Sequence, residues 1–233
     1  MFARKFLLVS ILSLLTMSTN ALAHDLWLEP EDGAFLLRYG HRGHEALPLE
    51  ASKLQTLMCR KDSGVPQNLV KSAVAAPRQI SLKASCTLLS AFFDGGFWSL
   101  TPDGEKNLPK NKVPDAVKSW RSKQFAKWVD SHSPLANQPL GDEFEIVPVT
   151  DLAKAKTGGR ATFRILLAGK PLSGATLAID HKPLAETDDQ GEARISIRGH
   201  GRESVSVSYR RMVKTAEADS EVLEASLTFE VAQ

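Results

Sequence analysis

The sequence predicts a mainly β fold of two β-sandwich-like domains, with one helix near residues 114–129. Three observations lead there. Short runs of alternating apolar and polar residues recur along the chain, and clusters of Gly, Pro, Asp and Asn punctuate them. One segment alone, "VPDAVKSWRSKQFAKWVD", spaces its apolar residues at helical intervals. Evenly spaced short strands of this kind suit a sandwich or barrel rather than a βαβ fold.

In chain order, residues 1–23 come first. "MFARK" carries two cations and no acid, an apolar run of about a dozen residues follows, and "ALA" ends the segment with small residues. This is the pattern of a secretory signal cleaved after Ala23, and its apolar run is shorter than the roughly 20 residues a membrane span needs. The mature protein is therefore expected to be periplasmic, with no membrane span.

From His24 onward, "HDLWLEPEDGAFLLRYGH" alternates, breaks at Pro30–Gly33 and resumes, which predicts two short strands around a turn. Strand-like runs follow at 54–59, 80–83, 86–93 and 97–100. Cys59 and Cys86 each lie in such a run, and an oxidising compartment makes a disulfide between neighbouring strands the expectation. After a Pro- and Lys-rich loop at 101–112, the spacing of Val113, Val117, Trp120, Phe125 and Trp128 predicts the helix. Pro114 and Asp115 suit its N-terminus. Its aromatic residues fit burial against a sheet better than display as a carbohydrate platform. "GDEFEIVPV" (141–149) reads as a strand leading into the linker "TDLAKAKTGG". The mature chain thus divides into an N-terminal β-rich domain, 24–150, holding the helix, and a C-terminal sandwich, 151–233. In the latter, turns fall at Ala168–Lys170 and Thr187–Gly191, and a last strand sets Leu227, Phe229 and Val231 on one face.

Charge narrows the functional classes. The chain has 29 Lys and Arg against 27 Asp and Glu, and Arg4 and Lys5 leave with the signal, so the mature protein carries 27 of each. A neutral chain lacks the excess positive charge that nucleic-acid phosphates demand. No G-x-S-x-G elbow, activated cysteine or distinguished acid pair is present, so no enzyme is expected. "DDQG" at 188–191 is a tight turn rather than a calcium loop, because the EF-hand spacing is missing.

The six histidines are more informative. His24 becomes the N-terminal residue after cleavage, and "YGHRGHE" brings His41, His44 and Glu45 into five positions. A terminal amine, with a reference pKa of about 7.7–8.0, and an imidazole, about 6.5, both deprotonate readily near neutrality and together chelate one ion. Added imidazoles make a nitrogen-rich site suited to Cu(II), Ni(II) or Co(II). Asp25 at the second position, with no histidine at the third, excludes the Xaa-Xaa-His motif. The candidate metal site is therefore His24 through amine and ring, with His41 and/or His44, and Glu45 as a ligand or as an acceptor behind one. His132 reads as a turn element, and nothing local argues that His181 or His200 joins a site.

The segments "AHDLWLEP", "SKQFAKWVD", "GDEFEIVPVTD" and "AGKPLSGATL…ETDDQGEARISI" resemble, in that order, a family of exported bacterial proteins. That family is described as the periplasmic component of cobalt transport or as nickel-uptake-associated. The resemblance covers most of the mature chain. It implies a β-rich fold ending in an immunoglobulin- or transthyretin-like domain, and a role in metal uptake, sometimes beside TonB-dependent outer-membrane receptors. The leading expectation is a periplasmic accessory protein that binds a divalent transition metal (Ni, Co or Cu) and works with a metal-uptake transporter or such a receptor. A non-catalytic envelope adaptor with no metal site is the alternative. A copper–histidine-brace enzyme acting on polysaccharide is a third reading; it requires the terminal His24 but lacks a recognisable substrate surface.

Overall fold

A computed structural model describes residues 24–232; the segment 1–23, predicted as a signal, lies outside the described residues. Seventeen strands follow one another, beginning with β1 (Asp25–Glu31), β2 (Ala34–Gly40), β3 (Leu54–Arg60), β4 (Gln67–Asn68), β5 (Val74–Ala76) and β6 (Gln79–Leu82). Next come β7 (Leu88–Thr101), β8 (Gly104–Lys106), β9 (Lys118–Val129), β10 (Phe144–Pro148), β11 (Arg160–Leu167) and β12 (Lys170–Pro171). The chain closes with β13 (Thr176–Ile179), β14 (Lys182–Glu186), β15 (Glu192–Ser196), β16 (Gly201–Met212) and β17 (Ser220–Val231). The helical elements among the described residues are three-residue 3-10 turns.

These strands make three sheets. One has the order β1-β2-β6-β5, and a second joins β10, β11 and β12 with β15 on the far side of β11. The third has nine strands, in the order β14-β13-β16-β17-β9-β7-β3-β4, with β8 beside β7. At its centre β17 runs parallel to β9, pairing Ser220 with Trp120 through Phe229 with Val129. Strands from both sides of residue 150 therefore share one sheet, and β10 pairs with β11 across the same position.

The segment predicted as a helix is the central strand β9, and that expectation is corrected. Trp120, Gln124 and Trp128 lie four residues apart, an interval shared by one helix face and by every second pair of positions on a strand. Two facts decide for the strand. β9 is hydrogen-bonded on both edges, to β7 and to β17. It also buries both faces: Ala126 and Trp128 join one core while Phe125 and Val129 join the other. A strand buried on both faces loses the apolar–polar alternation by which strands are recognised. Val117, needed for the helical stripe, is 70% exposed.

Two cores result. One fills the space between the β1-β2-β6 sheet and strands β3, β7 and β9, through Leu26, Leu28, Phe35, Leu37, Leu57 and Leu89. The disulfide Cys59–Cys86 is in this core, at the end of β3 and just before β7, as the sequence predicts. The other core lies beneath β10, β11 and β15, where Phe144, Phe163 and Ile165 meet Leu223, Leu227 and Phe229 of β17. The opposite face of β17 is polar yet buried, with Glu224, Ser226 and Thr228, and it backs onto β1. The Ser226 hydroxyl donates to the Leu26 carbonyl at 2.5 Å. This polar seam carries the start of β1.

Candidate metal centre

The β1–β2 hairpin turns through Asp32 and Gly33, both at positive φ (50° and 75°), the backbone of a tight two-residue hairpin turn. Its register pairs Glu31 with Ala34 and, at the open end, Asp25 with Gly40. The next two residues outward are His24 and His41, so the hairpin brings them side by side. Their rings pack edge to face with centroids 4.8 Å apart. His24 also packs against Tyr39 at 5.5 Å, and its carbonyl accepts a hydrogen bond from Gln124 Nε2 at 3.3 Å.

The third imidazole comes from 140 residues downstream. Strands β13 and β14 are joined by Asp180 and His181, both at positive φ (47° and 59°). His181 at this hairpin tip meets His41 with ring centroids 4.3 Å apart, and His41 Nδ1 lies 2.6 Å from His181 Nε2. Asp25 Oδ2 stands 3.7 Å from the same His181 nitrogen. Burial, then His41 and His181, hold the His24 imidazole below its ordinary pKa. Burial and His181 do the same to His41, and burial to His181. All three rings are thus neutral near pH 7, so the His41–His181 contact has one ring N–H donating to the bare nitrogen of the other.

Beneath the rings lies an acidic, hydrogen-bonded floor. Glu224 is pushed up to about 7 by burial, against the hydrogen bond that Gln124 Nε2 donates to it at 2.7 Å. Asp25 is pushed up to about 6 by burial, against its hydrogen bond with Ser206. Burial and Glu224 hold Tyr39 up at about 12.

Of the residues predicted from sequence, His24 and His41 are brought together. His44 is exposed, its ring centroid 6.4 Å from that of His41. Glu45 is exposed and turned away into an ion pair with Arg78. The sequence reading missed His181 and the proximity of Asp25. His132 caps its own turn, its N–H donating to Asp130 Oδ1 at 2.9 Å, and His200 is an exposed loop residue beside Thr157.

Three neutral imidazoles are the donor set that Cu(II), Ni(II), Co(II) and Zn(II) accept. Among the described residues no three His, Cys, Asp or Glu side chains are already converged to hold an ion. His41 Nδ1 and His181 Nε2, 2.6 Å apart, would have to turn from each other and open to roughly 2.9 Å to stand cis on one ion at about 2.0–2.1 Å. If the chain is cut after Ala23, as its sequence predicts, the freed amine would add a donor beside the His24 ring.

A family model described as "Domain of unknown function (DUF4198)" matches residues 21–211. No curated protein matches the chain. Among solved structures, the N-terminal four Ig domains of Dscam1 isoform 1.9 align with 89% of this chain and 43% of that chain, at 12% identity and a TM-score of 0.27. This chain therefore spans under half the length of that one, and a likeness so distant carries no argument.

Proposed function

The chain belongs to the DUF4198 family, and from its own residues we propose that it is a periplasmic accessory protein that binds a transition metal for nickel, cobalt or copper uptake or handling. Its ligands are His24 through amine and ring, His41 and His181, with the Asp25 carboxyl close by. It is not an enzyme, and its residues 151–233 form an immunoglobulin- or transthyretin-like sandwich. It delivers its metal to an uptake transporter or a TonB-dependent receptor.

One observation carries this reading. Three imidazoles drawn from residues 24, 41 and 181 pack ring against ring, at 4.8 and 4.3 Å, where burial favours their neutral form. Neutral imidazole is the metal-binding form, and each ring arrives by a different route: a chain start, a hairpin end and a hairpin tip. The disulfide fits an oxidising compartment, and no helix among the described residues is long and apolar enough to cross a membrane.

The test is titration of Cu(II), Ni(II), Co(II) and Zn(II) into protein confirmed by mass to begin at His24. One added N-terminal alanine, or His41→Ala or His181→Ala, should each weaken binding at least tenfold. His44→Ala and Glu45→Ala should change it less than threefold. Equal affinity in the native and alanine-extended proteins would remove the terminal chelate from the site. No binding beyond that of a surface histidine would leave the three rings as packing, and the envelope-adaptor reading would replace this one.

A further inference from the structure

A cleft of about 660 Å³ opens next to the histidine cluster, and its chemistry differs from that of the cluster. One wall is the outer face of the β1–β2 hairpin, with Trp27 and Arg38. The β13–β14 tip and residues 198–203, which lead into β16, complete the lining. The volume is in the range of about 300–1,000 Å³ that holds small organic molecules.

Five cations line this cleft, namely Arg38, Arg42, Lys182, Arg198 and Arg202, against three acids. Two of the acids are already committed. Glu29 is held by Arg38 and by Arg202. Glu203 accepts backbone N–H bonds from Arg198, Gly199 and Ser204, at 3.0, 2.7 and 3.1 Å. Arg42, Lys182 and the Arg198 guanidinium form no ion pair with any described residue. Two buried donors are also unpartnered among the described residues: Nε1 of Trp27, a residue only 3% exposed, and Nε of Arg202. An indole N–H can only donate, and a guanidinium offers donors and no acceptor. Arg42, Lys182 and Arg198 therefore ask for negative charge, while the third acid, Asp180, is likewise without an ion pair among the described residues.

We propose that this cleft binds a small organic polycarboxylate anion, with Arg42, Lys182 and Arg198 receiving its carboxylates beside the Trp27 ring. The cations are spread along a space larger than one tetrahedral oxyanion fills, which favours several carboxylates on one carbon frame over a single phosphate. Guanidinium forks match carboxylates in paired hydrogen bonds. The site is independent of the metal reading, because none of His24, His41 and His181 lines the cleft.

The experiment uses metal-free mature protein, with citrate as the probe and acetate and inorganic phosphate as comparison anions. Binding is read by calorimetry and by the indole N–H resonances, that of Trp27 being assigned as the one missing in Trp27→Phe. Citrate should bind at least tenfold more tightly than acetate or phosphate and should shift the Trp27 resonance. The exposed-side double variant Arg42→Ala/Arg198→Ala should weaken citrate at least tenfold, and His41→Ala should leave it unchanged. Citrate affinity no greater than that of acetate, an unmoved Trp27 resonance, or full affinity in the arginine variant would each overturn the proposal. Phosphate binding as tightly as citrate would overturn the polycarboxylate assignment. Because no metal is present, none of these results depends on whether the histidines bind one.

Discussion

Glu224 shows what a single side chain does beneath the histidine cluster. Its carboxyl is enclosed between β17, β9 and the start of β1, faced by Asp25, Arg210 and Gln124, and burial raises its pKa to about 7. An acid whose pKa is higher in the folded state holds its proton more tightly there. The stability this contributes is fully present below about 4.5 and is lost as pH rises through about 7. Glu224→Gln keeps the acceptor for Gln124 and removes the charge. Its unfolding free energy from urea titration should therefore exceed the native one at pH 8, by on the order of 1–3 kcal/mol, and match it near pH 4.5. The same gap between native and variant at both pH values would contradict that assignment. Asp25 titrates in the same direction, so a residual slope should survive in the variant. At this scale the sequence was partly legible. A two-residue turn at Asp32–Gly33 pairs residues outward until His24 faces His41, so that contact follows from local turn chemistry. His181 could not be found that way. Asp180 and His181 mark a hairpin tip, but only the assembled sheets bring it to residues 140 positions earlier.

Among the elements, β3 and β7 show how a covalent link reinforces a ladder. Cys59 and Cys86 close a loop across 27 positions, and their strands pair from Leu54 with Phe93 to Arg60 with Leu88. Loop-closure entropy for that separation is worth about 3–4 kcal/mol. Reducing the bond should lower stability by about 2–4 kcal/mol, read as a drop in urea midpoint with little change in slope. An unchanged midpoint would show that the two strands need no link. The alternating strands β1, β2, β6 and β17 and the turn at 188–191 were legible because each has one apolar face or one diagnostic turn. Asp188 Oδ1 accepts from the N–H groups of Gln190 and Glu192, both at 2.9 Å, and Gly191 sits at φ +71°. β9 was not legible. Its Lys127 is buried and donates to Glu145 Oε2 and to the Ile146 carbonyl, at 3.1 and 2.9 Å, so even a lysine inside it faces a core. Periodicity cannot report a strand whose charged residues are buried by ion pairing.

For the whole molecule, the nine-stranded sheet crosses the boundary the linker suggests. β17 completes the ladder of β9, and β10, on the near side of residue 150, is the edge partner of β11. Expressed separately, residues 24–150 and 151–233 should each lack a cooperative unfolding transition, whereas the mixed fragments should regain part of it. A cooperative transition in either fragment alone would show that its core is self-sufficient. Composition and turns signalled the β class, but the joining of the two halves has no local signature. It rests on a parallel pairing between positions 100 residues apart.

That pairing has a consequence for the order in which the protein is made. Residues 118–129 emerge with one long edge unmatched and must wait for residues 220–231, which at about 5–20 residues per second takes roughly 5–20 s. During that interval the middle of the largest sheet is an open template for strand addition. A chain delivered in this order needs a holding chaperone, or a channel that keeps it threaded, until its last long strand arrives.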